Sequence, residues 1–193
     1  MSEATSTRSL VPTSKNTKLA FWMFIGSEVV FFTALILAFL LDRLTHPAAF
    51  STFRGQLSIP IIAVNTFVLI GSSYMVVRAF DAIQRGELTG LVRNLIGVAV
   101  LGALFLGGQA WEWITLFGEG ESFKSMIGSA FFTVTGIHGT HVFVGLIWCI
   151  VLIVLARRQI FSQQSHDAVE LFGLYWHFVD IVWIVLFTFI YLI

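Results

Sequence analysis

Five long apolar segments constrain the fold of this chain more than any other feature of its sequence. A bilayer core about 30 Å thick is crossed by roughly 20 apolar residues in a helix. Five runs reach that length, and the fold class they predict is all-α, a polytopic membrane bundle of five transmembrane helices. The predicted spans are approximately Leu19–Leu41, Pro60–Phe80, Asn94–Phe117, Met126–Ala156 and Val169–Ile193.

The composition agrees with a membrane protein. The 193 residues are 57% hydrophobic and only 11% charged, whereas a soluble domain averages about 25% charged residues. The formal net charge of zero and the lack of a basic face argue against a nucleic-acid partner. The single cysteine, Cys149, excludes an intrachain disulfide and any metal site that needs several cysteines.

The distribution of Lys and Arg predicts the orientation in the membrane. Residues 1–18 form a polar, Ser/Thr-rich tail that we expect to be disordered, and residues 19–193 form the transmembrane domain. Eight basic residues lie on the side of the N-terminus, namely Arg8, Lys15, Lys18, Arg78, Arg85, Arg93, Arg157 and Arg158. Three lie on the other side, Arg43, Arg54 and Lys124. The positive-inside rule therefore places the N-terminus in the cytoplasm and the C-terminus outside.

Six ionisable residues lie inside the apolar spans, where each charge costs on the order of 2.5–3.5 kcal/mol by insertion scales. They are Glu28, Glu112, His138, His141, His177 and Asp180. With a rise of 1.5 Å per residue, four of them fall in one layer between the cytoplasmic side and the midplane. That layer contains Glu28, His141, His177 and Asp180, while Glu112 lies apart near the outer end of the third span. His138 shares a helix face with His141, since three residues separate them.

Several explanations of this polar layer stay open on the residues alone. The side chains could fix helix packing through interhelical hydrogen bonds, or carboxyl–imidazole contacts could carry protons, as in membrane proton relays. The second explanation would fit an independent proton or solute transporter. Histidines on the fourth and fifth spans could also ligate a b-type haem, as in the membrane anchor of a dehydrogenase.

Five sequence strings, one in each span and in the same order, carry a family resemblance. They are WMFIGSEVVF at 22–31, NTFVLIGSS at 65–73, QAWEW at 109–113, TGIHGTHV at 135–142 and YWHFVD at 175–180. Together they resemble subunit III of the haem–copper terminal oxidases, which include cytochrome c oxidases and quinol oxidases. The resemblance covers nearly all of residues 19–193.

The resemblance implies a function that the spans alone do not. It implies an accessory subunit, with no catalytic site, cofactor or metal on this chain, in a complex that reduces oxygen to water. Haem and copper are then expected in partner subunits, with subunit I in direct contact and subunit II and small subunits in the same complex. Some members have seven helices with a lipid-filled cleft, so phospholipid is a further expected partner, and this chain resembles a five-helix form. Glu28 matches the family's carbodiimide-reactive carboxyl, and the expected location is the bacterial plasma membrane.

Overall fold

The computed structural model describes residues 15–161 and 166–193, and these residues form helices joined by short turns. The helices are α1 (Lys15–Thr45), α2 (Pro47–Gln56), α3 (Ile59–Gln84), α4 (Leu88–Gly118), α5 (Met126–Arg157) and α6 (Asp167–Phe187). A π-helical turn, Thr188–Leu192, continues α6. We call the end of the bundle where α1 begins the basic end.

All five predicted spans are confirmed as helices long and apolar enough to cross a membrane: α1, α3, α4, α5 and α6 with its π-turn. Most extend beyond the predicted boundaries, because polar residues at the membrane surface continue the helix. Residues 1–14 of the predicted tail lie outside the described residues. Residues 15–18 form the first turn of α1.

The short helix α2 lies between the first two predicted spans and is not predicted from the sequence. Ten residues are too few to cross a membrane, so a search for spans overlooks this segment. Pro47 occupies its first turn, where a missing N–H costs no hydrogen bond. Phe50 and Phe53 are buried beneath the helix, and the Phe53 ring lies 5.1 Å from the ring of Phe131 in α5.

The five spans differ greatly in how deeply they are enclosed. In the most apolar stretch of each helix, 56% of the residues are buried in α6, against 17% in α1. The α6 helix packs on α3 and α5, while α1 packs on α5 and α6 at the edge of the bundle. The core therefore surrounds α6, and α1 is a peripheral helix.

Two tryptophans of α6 fasten this helix to its neighbours. Trp176 lies so close to α4 and α5 that a Cβ at Gly102 would be 3.0 Å from its ring and one at Gly145 would be 2.8 Å away. Its indole N–H donates to the Ser72 hydroxyl of α3 at 2.9 Å. Trp183 donates in the same way to Thr66 of α3, also at 2.9 Å. Small residues and polar side chains thus bring the central helices together, as is common inside membranes.

Polar contacts hold α1 to α6 at both ends of the bundle. At the basic end, the Lys18 ammonium lies 2.8 Å from Glu170 and 3.3 Å from Asp167. At the opposite end, Arg43 of α1 and Arg54 of α2 donate hydrogen bonds to backbone carbonyls of the final turn. Those carbonyls have no partner within a helix that stops there. The guanidinium groups therefore cap the end of α6.

Candidate functional site

Glu28 and His141 form an acid–imidazole pair between α1 and α5. The Nε2 atom of His141 lies 3.3 Å from Oε2 of Glu28, within ion-pair distance but longer than a well-formed hydrogen bond. The other ring nitrogen, Nδ1, lies 2.8 Å from the Ile137 carbonyl oxygen. A carbonyl only accepts, so Nδ1 carries a proton and donates to it. The nitrogen that faces Glu28 is then the one that can gain or lose a proton.

This Glu28–His141 pair is partly open to its surroundings. About a fifth of each side chain is exposed, 18% for Glu28 and 20% for His141, although Oε2 of Glu28, the oxygen that faces His141, is itself buried. The Phe32 ring packs edge-on against the imidazole with centroids 5.0 Å apart, and the Tyr175 hydroxyl donates to the His141 carbonyl at 3.0 Å. Aromatic side chains thus cover the pair on the side of the bundle, while its outer side is uncovered in this chain.

His177 and Asp180 do not join the Glu28–His141 pair. Nδ1 of His177 lies 2.6 Å from the Ser73 hydroxyl of α3, in a hydrogen bond whose donor depends on the imidazole tautomer. Asp180 is only 4% exposed and lies near the same hydroxyl, but neither carboxyl oxygen has a well-formed hydrogen bond to a described residue. The four residues of the predicted layer therefore form two separate groups. Glu28 and His141 meet between α1 and α5, and His177 and Asp180 lie near Ser73 between α3 and α6.

His138 lies in an aromatic enclosure one helical turn from His141. It is completely buried and stacks on Trp183, with centroids 4.9 Å apart and planes inclined by 28°. The Phe105 ring stands perpendicular to it at 6.0 Å. Neither ring nitrogen has a hydrogen-bond partner within the described ranges. Its surroundings are those of a core side chain.

Glu112 lies apart from the other five residues, as expected. It is 5% exposed, and its Oε2 accepts a hydrogen bond of 2.7 Å from the hydroxyl of Tyr191, which is fully buried. Its other oxygen and Oε1 of Gln56 lack partners among residues 15–161 and 166–193, and the two side chains line one cavity of about 10 Å³. That volume is about the size of one water molecule.

Several partners of these groups are not predicted from the sequence. Ser73 and Tyr175 appear only within the strings at 65–73 and 175–180, and Tyr191 is not singled out. Gln109 is buried one turn before Glu112, with no partner for its amide among the described residues. Hydroxyl and amide groups in apolar spans are too common to signal a contact, because the spacing along one helix does not reveal what faces it.

A b-type haem held by His141 and His177 would lack one of its two ligands. Both ring nitrogens of His141 already face other groups, Nδ1 the Ile137 carbonyl and Nε2 the Glu28 carboxyl. Within the described part of the chain, no group of three or more His, Cys, Asp or Glu side chains is arranged to hold a metal ion. The geometry gives no support to the haem-anchor alternative.

Comparison with known proteins identifies the family. The sequence profile described as "Cytochrome c oxidase subunit III" matches residues 2–193. The quinol oxidase subunit 3 of Bacillus subtilis (strain 168) is 34% identical over 176 residues, which cover 90% of this chain and 85% of the relative. The cytochrome c oxidase subunit 3 of Thermostichus vulcanus is also 34% identical, over 91% of this chain and 86% of its own length. The cytochrome c oxidase subunit 3 of Corynebacterium diphtheriae is 34% identical over 89% of this chain and 85% of its own length. With a profile match over almost its whole length, this chain belongs to the cytochrome c oxidase subunit III family.

Proposed function

We propose that this chain supports the catalytic subunit of its oxidase without a cofactor of its own and holds an exchangeable proton on the Glu28–His141 pair. As a family member it is an accessory subunit of a haem–copper terminal oxidase and a multi-pass protein of a bacterial membrane. We propose further that the chain contacts subunit I directly and lies in the same complex as subunit II and small subunits. Those partner subunits then carry the haem, the copper and the catalytic site.

The Glu28–His141 geometry supports the proton proposal. Because Nδ1 of His141 already donates to the Ile137 carbonyl, one further proton can lie either on Nε2 of His141 or on the Glu28 carboxyl. The pair then exists as imidazolium with carboxylate, or as two neutral groups, with the same number of protons. Such a pair avoids an isolated charge in the membrane, which is the costly state. The exposed part of the pair lies at the edge of the bundle, where we propose that a group of a partner subunit exchanges the proton.

The relatives suggest that the electron donor is a property of the partners. Proteins named for quinol oxidases and proteins named for cytochrome c oxidases are both 34–35% identical to this chain. We propose that this subunit takes no part in donor recognition, and that the same Glu28–His141 pair serves in oxidases of either kind.

Labelling with a hydrophobic carbodiimide tests the role of Glu28, since this reagent reacts with protonated carboxyl groups in apolar surroundings. We expect labelling of this subunit in the intact oxidase to fall to background in Glu28→Gln, with assembly retained and proton uptake slowed. Glu112→Gln is the matched control. Glu112 is also a carboxyl in a span, but it is 5% exposed and bonded to Tyr191, so its loss should not change the labelling. Undiminished labelling of Glu28→Gln would show that another carboxyl reacts.

A further inference from the structure

A groove between the first turns of α4 and the last turn of α5 differs from the other cavities of this chain. It has a volume of about 430 Å³ and lies at the basic end of the bundle. Val92, Ile96 and Ala156 form an apolar part of its wall, and Arg93, Arg157 and Gln159 form a polar part. Because an apolar surface lies beside two arginines, a ligand that fills the groove should have an apolar part and an anionic part. We call it the basic groove.

The two arginines of the basic groove are not neutralised by the rest of the described chain. Two other basic residues at this end have acidic neighbours: Lys18 pairs with Glu170, and Arg85 pairs with Asp81 and Glu87. Arg93 and Arg157 have neither an ion pair nor a side-chain hydrogen bond to any residue of the ranges 15–161 and 166–193. Two guanidinium groups in one groove therefore remain available to an anion.

The way α5 ends adds a third polar group to the basic groove. Gln159 has φ 56°, in the left-handed region that normally favours glycine after a helix. The amide of Ile160 bonds back to the Leu155 carbonyl at 3.2 Å, which closes the last turn of α5. Glycine would make this turn with less strain. The residue at this position is a glutamine that lines the groove, so a polar residue with an amide donor stands where glycine is usual.

We propose that the basic groove binds one anionic phospholipid, with its phosphate between Arg93 and Arg157 and an acyl chain against Val92 and Ile96. A guanidinium group matches a phosphate through two parallel N–H donors. Basic pockets between helices at the cytoplasmic surface are suited to lipid headgroups, and the excess of Lys and Arg predicts that this end is cytoplasmic. A free phosphate ion would leave the apolar wall uncovered, so the complementarity favours a lipid.

This site is separate from the groove between α1 and α6, which has a volume of about 380 Å³. His177 is the only ionisable residue that lines that second groove, and it is hydrogen-bonded to Ser73. An acyl chain could lie there, but nothing in it selects an anionic headgroup. Lipid binding in the basic groove also does not depend on the proton role of Glu28. The Glu28–His141 pair lies between α1 and α5, whereas the basic groove lies between α4 and α5.

Lipid retention by the intact oxidase tests the proposal. The complex is purified in detergent and stripped of lipid, and then titrated with phosphatidylglycerol or phosphatidylcholine while bound lipids are counted by native mass spectrometry. We expect saturable binding of phosphatidylglycerol, and an affinity about tenfold or more lower in the double variant Arg93→Gln/Arg157→Gln, because two interfacial cations are removed. Arg85→Gln is the matched control at the same end of the bundle. Its charge already faces two carboxylates, so its loss should leave the affinity unchanged.

Two further experiments separate lipid binding from misassembly of the variant and from binding of free phosphate. If the double variant fails to assemble, Arg93→Lys and Arg157→Lys keep the charge while removing the two-donor geometry, and we expect each to weaken binding while the complex assembles. Inorganic phosphate at millimolar concentration should not displace the lipid; displacement would identify a free-anion site and overturn the proposal. Equal affinities in the wild type and the double variant, no selective binding in the wild type, or the same loss in Arg85→Gln would also overturn it.

Discussion

The helices α1 and α6 show that the more apolar helix is not the more buried one. The mean hydropathy of the most apolar stretch is 2.3 in α1 and 1.7 in α6, yet 17% of that stretch is buried in α1 and 56% in α6. Inside a membrane, lipid tails are as apolar as a neighbouring helix, so hydrophobicity does not draw helices together. Close packing and hydrogen bonds do, and α6 has more of both. The less apolar helix therefore becomes the centre of the bundle.

The ionisable groups follow the same division. Glu28 on the peripheral helix keeps part of its side chain exposed and faces a histidine that can share a proton. Asp180 on the central helix is 4% exposed and has no comparable partner among the described residues. A carboxyl that exchanges protons needs access, whereas one that is enclosed is restricted to packing or a slow exchange. Glu28 is for this reason the better candidate for function.

The largest effect is expected where α5 approaches Trp176 of α6. In Gly145→Ala, the new Cβ would lie 2.8 Å from the indole ring, which is shorter than real contacts allow. We expect a loss of about 1–3 kcal/mol, the usual cost of overpacking, measured from the thermal dissociation of this subunit in the oxidase. Gly139→Ala on the same helix is the control, because its Cβ would meet nothing within 4 Å. Equal effects of the two substitutions would show that helix propensity, not the contact with Trp176, determines the result.

A second prediction concerns the hydrogen bond that encloses Glu112 beneath the end of α6. Tyr191→Phe removes the donor that lies 2.7 Å from Oε2 and leaves a buried carboxyl oxygen unpaired. The expected loss of stability is about 1–2 kcal/mol, near the upper end for hydrogen bonds between membrane helices, because the group left unpaired is a buried carboxyl oxygen. Thermal dissociation again measures it, with the exposed Tyr74→Phe as control. If Tyr191→Phe behaved like the wild type, Glu112 would have another partner in the complex.

The smallest effect is expected from a single interhelical hydrogen bond. Thr66→Val removes the acceptor of the Trp183 indole N–H and should cost about 0.6 kcal/mol, the average for such bonds in membranes. Thr33→Val on α1 is the matched control, because its hydroxyl donates to the Val29 carbonyl of its own helix. We expect no measurable change there. An equal loss at Thr33 would contradict the difference between the central and peripheral helices, and a double variant with Trp183→Phe would show whether the two partners are coupled.

The proximity of Glu28 and His141 could be anticipated from sequence, while the surroundings of the other ionisable residues could not. Helical rise places Glu28, His141, His177 and Asp180 at similar depths, and this is enough to suggest contacts. Depth does not say which way a side chain points around its helix axis. His177 faces Ser73 of α3 rather than a carboxyl of α1, and His138 stacks on Trp183 although it shares a helix face with His141.

The amino-acid sequence by itself determined the number of spans, their order and the identity of the family. Transfer from water to lipid depends on the composition of each segment, and five strings, one in each span, point to the family without any structure. Tertiary structure decided which helix is central, where α2 lies and which carboxyl is enclosed. These outcomes depend on the fit between helix surfaces, such as Trp176 against Gly102 and Gly145, and hydropathy does not measure that fit.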